Sequence, residues 1–325
     1  MKLSCLFFFL CLLATAAFAQ DVHLSQYYTS NLSLNPALTG NYDGDVRVIL
    51  NYRTQWRQVT TSPFRTSMVS LEKKIKPFAL GIIFINDQIS LFNINTNKAL
   101  VAASYEKALG ENIISLGVQA GFIIRSSNLS GQTFPEQWDY QSGNFDISIP
   151  NQEAALQGNT SFPGINAGLG WTRTFNETKV QAGYALFNIT RPQDGFLSTQ
   201  KLPFRHVFNA LAVKPLNNEI TIIPRLLYMR TASASDFIVG THLRKKLKTD
   251  TGIMLGAGYR GSTQNSDAVI AYAGIRYRRF DFGFSSDITI SRLSKDSQKS
   301  AYEFSISYTT PSLFPSKFTI PCDRY

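Results

Sequence analysis

Between Ile113 and Ile124 the chain alternates with a period of two: Ile114, Leu116, Val118, Ala120, Phe122 and Ile124 share one parity, with Ser115, Gly117, Gln119 and Gly121 between them. Successive side chains of a strand point to opposite sides, so one face here is apolar and the other small or polar. The pattern recurs. Val180, Ala182, Tyr184 and Leu186 alternate with Lys179, Gln181, Gly183 and Ala185, and Phe282, Phe284, Ser286 and Ile288 with Asp281, Gly283, Ser285 and Asp287. Near the end, Tyr302, Phe304, Ile306 and Tyr308 alternate with Glu303, Ser305 and Ser307. A soluble sandwich would show the same alternation in any one strand. The number of strands points elsewhere: the periodicity predicts about fourteen, near 45–52, 64–72, 78–86, 97–106, 112–125, 162–173, 179–188, 204–213, 219–230, 236–245, 251–260, 267–278, 281–290 and 301–308.

The connections carry a second periodicity. Every other one is short: Lys73 to Pro77, Lys107 to Glu111, Thr174 to Thr178, Lys214 to Asn218, Lys246 to Asp250, and Arg279 to Phe280. The others are longer, and the longest, Ser126 to Ser161, holds Pro135, Trp138, Pro150 and several Asn and Gly residues, the chemistry of an exposed loop rather than a strand. Short turns alternating with long loops mark a bacterial outer-membrane barrel, and this arrangement places both termini in the periplasm.

Composition supports a membrane site. The chain is 44% hydrophobic and 13% aromatic but only 17% charged, which is poor in charge for a soluble protein. After Ala19 there is no run of ~18 or more apolar residues, so a helical span is excluded on length. A closed barrel is the remaining way to satisfy every backbone N–H and C=O in lipid. The expected fold is therefore all-β, a single transmembrane antiparallel barrel. Lys2, the apolar run Leu6 to Leu13 and Ala17-Phe18-Ala19 read as a signal peptide over residues 1–19. Leu10, bulky before Cys11, disfavours a lipoprotein site. With Cys5 and Cys11 removed, Cys322 stands alone and no internal disulfide can form.

Residues 20–44 fit neither period. Tyr27, Tyr28, Leu32, Leu34 and Leu38 are spread without helix or strand spacing, while Pro36 and Gly40 mark sharp turns. Left in water, each large apolar side chain would forgo roughly 1.5–3 kcal/mol of burial. The segment is therefore expected to fold back into the periplasmic mouth as a plug against a polar lumen face, with Asn35-Pro36 making the turn. The alternative is a disordered or partner-bound arm. The barrel is expected over 45–308, and a periplasmic tail over 309–325.

A net charge of +10 and a pI near 9.5 would suit a nucleic-acid binder, but the basic residues are scattered and no recognition helix or stacking platform is present. Three clusters fall at the short turns: Lys73, Lys74 and Lys76; Arg244, Lys245, Lys246 and Lys248; Arg276, Arg278 and Arg279. They are expected to contact lipid phosphates of the inner leaflet or to dock an acidic periplasmic partner. His23, His206 and His242 have no Ser, Asp or Glu at a diagnostic spacing, so no catalytic residue is assigned. His206 is expected at the outer rim and His242 nearer the periplasm, as satisfied lumen or interface histidines. Paired Cys and His-x-x-x-His are absent, so no metal or cofactor is expected. The glycines of Gly252 to Gly261 recur at strand period without a following helix, and fit a tapered wall rather than a phosphate loop. The triplets at Asn31, Asn128 and Asn188 match the glycosylation signal by chance in this compartment.

Gln26-Tyr27-Tyr28, Asn35-Pro36-Ala37 and Gly40, then Arg47-Val48, Asn51-Tyr52-Arg53 and Gln55-Trp56, resemble the start of the PorP/SprF family of the type IX secretion and gliding system. The ending Pro321-Cys322-Asp323-Arg324-Tyr325 is similar but has Asp323 where the family usually has Pro, and Tyr325 where it has Phe. The resemblance implies a fourteen-stranded barrel of the fatty-acid-transporter type that is not an enzyme. It would assist secretion of proteins bearing C-terminal sorting domains, or hold them at the surface of gliding cells. The implied partners are outer-membrane lipids, periplasmic or lipoprotein components of the machine, and a sorting-domain adhesin. The residues alone stop at an outer-membrane barrel of open function. A channel for small or hydrophobic solutes fits that shape equally, and an adhesin scaffold fits less well because no loop could hold an adhesive module.

Overall fold

The computed structural model describes residues 24–55, 63–89, 93–129, 132–150, 158–193, 201–232, 234–262, 266–290 and 300–312. In chain order the strands are β1 (Val46–Gln55), β2 (Phe64–Ile75), β3 (Phe78–Ile89), β4 (Ile94–Leu109), β5 (Asn112–Ser127), β6 (Trp138–Asp139), β7 (Asn144–Phe145), β8 (Gly158–Phe175) and β9 (Thr178–Phe187). They continue as β10 (Arg205–Pro215), β11 (Ile220–Thr231), β12 (Ala234–Lys248), β13 (Thr251–Ser262), β14 (Ser266–Tyr277), β15 (Phe280–Thr289) and β16 (Ser300–Thr309). All except β6 and β7 form one closed barrel of fourteen strands in sequence order. Closure is made by β1, whose Val48 pairs with Leu71 of β2 on one side and with Tyr308 of β16 on the other.

Each expected strand is present, but several run longer than their apolar stretch. β8 spans Gly158–Phe175, where alternation alone indicates 162–173. An apolar alternation marks only the part of a strand that crosses lipid, whereas the hydrogen-bonded ladder continues as long as a neighbour supplies partners. The long loop after β5 is also more ordered than expected: β6 and β7 pair as a small hairpin, with the Trp138 and Phe145 rings edge to face at 4.9 Å. At its turn, hydrogen bonds from Ser142 and from the Gln141 amide hold the Asp139 carboxyl below the usual carboxylate range.

The two faces of the wall separate as the alternation requires. In β5, Leu116, Val118, Phe122 and Ile124 point outward and are half exposed or more, while Gln119 points inward and is buried. The outward face of β15 and β16 is similar, with Phe282, Phe284, Phe304 and Ile306 exposed. Around the end that carries the short turns, outward aromatic pairs such as Phe78 with Tyr105 and Phe280 with Tyr308 form part of a girdle of the kind that sits at a membrane interface.

Candidate functional site

The lumen-facing side chains and residues 24–45 form one packed unit. The segment begins level with Arg53, Asp287 and Glu303, in the half of the lumen nearer the long loops, and descends to β1 at the short-turn end. It therefore lies deeper than a cap over the mouth. On the way it forms one helical turn, Asn31–Leu34, and a 3-10 turn, Pro36–Leu38. The Asn35 side chain caps the second by accepting from the Ala37 amide at 2.9 Å. Pro36, with its fixed φ and missing N–H, suits the first position of such a turn.

Apolar side chains of the segment are divided between two walls. Leu24 and Leu32 pack with Met68, Ile83, Leu100 and Ala102. Tyr27, Leu34 and Leu38 pack with Ala185, Phe187, Val207, Leu227, Ile238, Ile270 and Tyr272. The inner wall is thus not the uniformly polar face that alternation predicts. Apolar residues are tolerated there because the segment, rather than water, covers them.

Polar contacts hold the same segment at both ends. At the upper end Glu303 accepts from the Ser25 amide at 2.7 Å and the Gln26 amide at 3.1 Å, and Ser25 Oγ donates to Asp287 at 2.7 Å. Those two carboxylates are neutralised by Arg53, 2.8 Å from Asp287 and 3.2 Å from Glu303, and by Arg260, 2.8 Å from Asp287. All four charges are buried, and two cations face two anions, the arrangement that a low-dielectric interior requires. Lower down, the Gln119 amide donates to the Leu32 carbonyl at 3.1 Å and Asn35 Nδ2 to the Leu169 carbonyl at 3.0 Å. At the bottom Glu72 accepts from the Gly40 amide at 2.8 Å and pairs with Arg47 at 2.6 Å.

Two wall glycines make room for this path. A Cβ on Gly117 would overlap the Pro36 carbonyl group, and one on Gly168 would overlap the Asn35 side-chain oxygen. In both cases the lumen wall approaches the segment as closely as a backbone can.

The basic residues singled out in the sequence are distributed over several surfaces. Lys74 turns inward, where its amine donates to the Tyr42 carbonyl and lies 4.8 Å from the Tyr42 ring centre. Arg244 also points into the lumen, together with Arg276, which makes two hydrogen bonds of 2.6 and 2.8 Å to Asp281. Lys73, Lys76, Lys245, Lys246, Lys248, Arg278 and Arg279 are exposed at the short-turn end. The histidines separate too. His206 faces outward and shares a 2.8 Å hydrogen bond with the Tyr184 hydroxyl. His242 is buried at mid-height, between the rings of Tyr28 and Tyr272 at 4.6 Å each. Its nitrogens have no hydrogen-bond partner, so it is not the satisfied histidine that was expected. The sequence reading did not single out Glu72, Arg260, Asp287 or Glu303. The available signal was a charge at an inward parity position, where a lumen facing water would not distinguish it from an ordinary polar residue.

Residues 16–308 match a family model described as type IX secretion system membrane protein PorP/SprF. No curated protein sequence matches the chain. Among solved structures, the CymD monoaromatic hydrocarbon channel is similar with a TM-score of 0.54 at 13% identity, covering 87% of this chain and 92% of that one. A TodX deltaS2S3 mutant monoaromatic hydrocarbon channel is similar with a TM-score of 0.51 at 12% identity, covering 86% and 94%. Identity this low shows a shared barrel fold and nothing about cargo.

Proposed function

This chain belongs to the PorP/SprF family of type IX secretion system membrane proteins, and from that premise we propose that it is an accessory component that binds other proteins rather than a conduit. The observation that carries the reading is the lumen segment: residues 24–45 are anchored at both ends by buried carboxylates and packed on two apolar walls. A barrel filled in this way is a plug-bearing platform. Its short-turn end, rich in exposed Lys and Arg, suits an acidic periplasmic or lipoprotein partner, and its long-loop end faces outward, where a sorting-domain protein could be held. Both termini then lie in the periplasm. The basic rim would act mainly through electrostatic steering, which salt weakens.

One experiment addresses orientation and partners together. An epitope inserted after Ser142, in the β6–β7 turn, should be reachable by antibody on intact cells. Capture through it from gently solubilised outer membranes should recover a lipoprotein or sorting-domain protein in stoichiometric amount. Changing Lys245, Lys246 and Lys248 to Glu should reduce that recovery at low salt. An epitope hidden on intact cells would invert the topology, and recovery of the barrel alone would favour the second reading, passage of small hydrophobic solutes. That reading draws on an apolar cavity of about 70 Å³ beside Leu24, Leu32, Met68 and Phe187.

A further inference from the structure

On the short-turn side of the lumen segment lies a cavity of about 390 Å³ whose walls carry seven basic side chains and two carboxylates. The concavity comes from the wall itself. Gly252, Gly274 and Gly283 all line it, and they lie at lumen-facing positions of three successive strands, so the inner wall between β12 and β15 carries few side chains there, chiefly Met254 and Arg276. Register places the charges around that gap. Lys246 of β12 is opposite Gly252 of β13, which is opposite Arg276 of β14. Arg244, two residues along on the same face, is opposite Met254 and, across β11, Thr221. Arg225 faces the cavity from β11, four residues beyond Thr221. A second cavity, of about 530 Å³, shares Arg225, Arg244 and Arg276.

These cations are not used up within the protein. Arg47 is committed to Glu72 and Arg276 to Asp281, but neither Arg225 nor Arg244 has a carboxylate within ion-pair distance among the described residues. Arg225 Nε is sealed from solvent without a hydrogen-bond partner. Its guanidinium is stacked 4.5 Å from the Tyr28 ring centre, which fixes the plane and leaves the N–H edges directed sideways. Clustered like charges that lack internal partners are costly to hold in a low-dielectric lumen unless an anion joins them.

We propose that Arg225 and Arg244, with Lys246 and Arg276 at the edge, form a binding pocket for a soluble oxyanion of the phosphate class, such as pyrophosphate or a phosphate monoester. Guanidinium forks match tetrahedral oxyanions two oxygens at a time, a geometry that chloride cannot use. The cavity is bounded by the barrel wall, whose outer face carries Ile253, Ile275 and Phe282, so an anion reaches it from the short-turn end rather than from the bilayer. Because Tyr28 supports Arg225, the bound anion would also strengthen the seat of the lumen segment.

Pyrophosphate titrated calorimetrically into the mature barrel, held in a maltoside detergent at constant ionic strength in chloride, tests this. The expected result is saturable single-site binding and a rise in the temperature at which the folded band converts to the unfolded one. Arg225→Gln with Arg244→Gln should weaken binding by about tenfold or more, while Arg230→Gln, at the other end of β11, should leave it unchanged. If the double variant does not fold, Arg244→Gln alone, whose side chain is only partly buried, carries the test. Absence of saturation, equal competition by chloride, or undiminished binding in a folded variant would overturn the proposal. So would a stabilising shift given by phosphatidylglycerol but not by pyrophosphate, since it would assign the charges to lipid.

Discussion

Glu303 makes more contacts to the lumen segment than any alternation would suggest. It accepts from the Ser25 and Gln26 amides, from Asn51 at 2.8 Å and from Arg53 at 3.2 Å. Replacing Glu303 with Ala leaves two backbone donors, the Asn51 amide and one guanidinium buried without that acceptor, and of the two carboxylates that Arg53 pairs with only Asp287 remains. A broken buried pair typically costs about 3–5 kcal/mol. Glu303→Ala is therefore expected to lower the urea midpoint of the folded, fast-migrating form markedly, with Glu303→Gln intermediate because one amide oxygen can still accept. An unchanged midpoint for the Ala variant would mean that the segment is not held from this carboxylate. Gly117 illustrates the opposite kind of constraint, in which the absence of a side chain is the requirement.

At the scale of the element, β16 combines two roles. Its inward residues Glu303 and Ser305 bind the lumen segment, Ser305 Oγ donating to Gln26 at 2.7 Å, while its outward residues Tyr302, Phe304, Ile306 and Tyr308 meet lipid and pack against β15. Phe304 lies 4.9 Å from Phe284, and Tyr308 lies 4.9 Å from Phe280, between ring centres. A charge on this face is penalised most at the bilayer midplane and least at the interface. Phe304→Asp with Tyr308→Asp is expected to abolish stable insertion, with Phe304 contributing most because it lies further from the short-turn end. Heat-modifiable migration of the double variant on gels checks this, and a normal shift would count against a lipid-facing β16.

The whole molecule is a barrel whose interior is completed by its own N-terminal segment. Both apolar walls and both polar anchors contact residues 24–40, so removal of that stretch should expose a continuous aqueous path. Planar-bilayer recordings are expected to give little conductance for the mature protein and large, steady steps for a variant lacking residues 20–40. Equal, large conductance from both would show that the segment does not close the lumen and would favour solute passage. Such a result would leave family membership intact, because membership rests on residues 16–308 as a whole.

The amino-acid pattern by itself determined that this chain forms an all-β barrel of fourteen strands, where each strand lies and which parity meets lipid. Those properties depend on local alternation and on turn length, and a one-residue slip would move every side chain to the wrong face. The signal peptide read from the sequence lies outside the described residues, and so does the C-terminal tail beyond Ser312. Strand ends were less legible, because the ladder outlasts the apolar signal. The interior could not be read, since partners there are brought together by closure: Ser25 meets Asp287 across 262 positions and Glu303 across 278. An inward Met68 or Asp287 has the same local pattern whether it faces water, another wall or a folded segment. Only the tertiary structure decided which of these it meets, and so why an apparently polar lumen carries two apolar walls, a neutral buried ion network and a basic cavity.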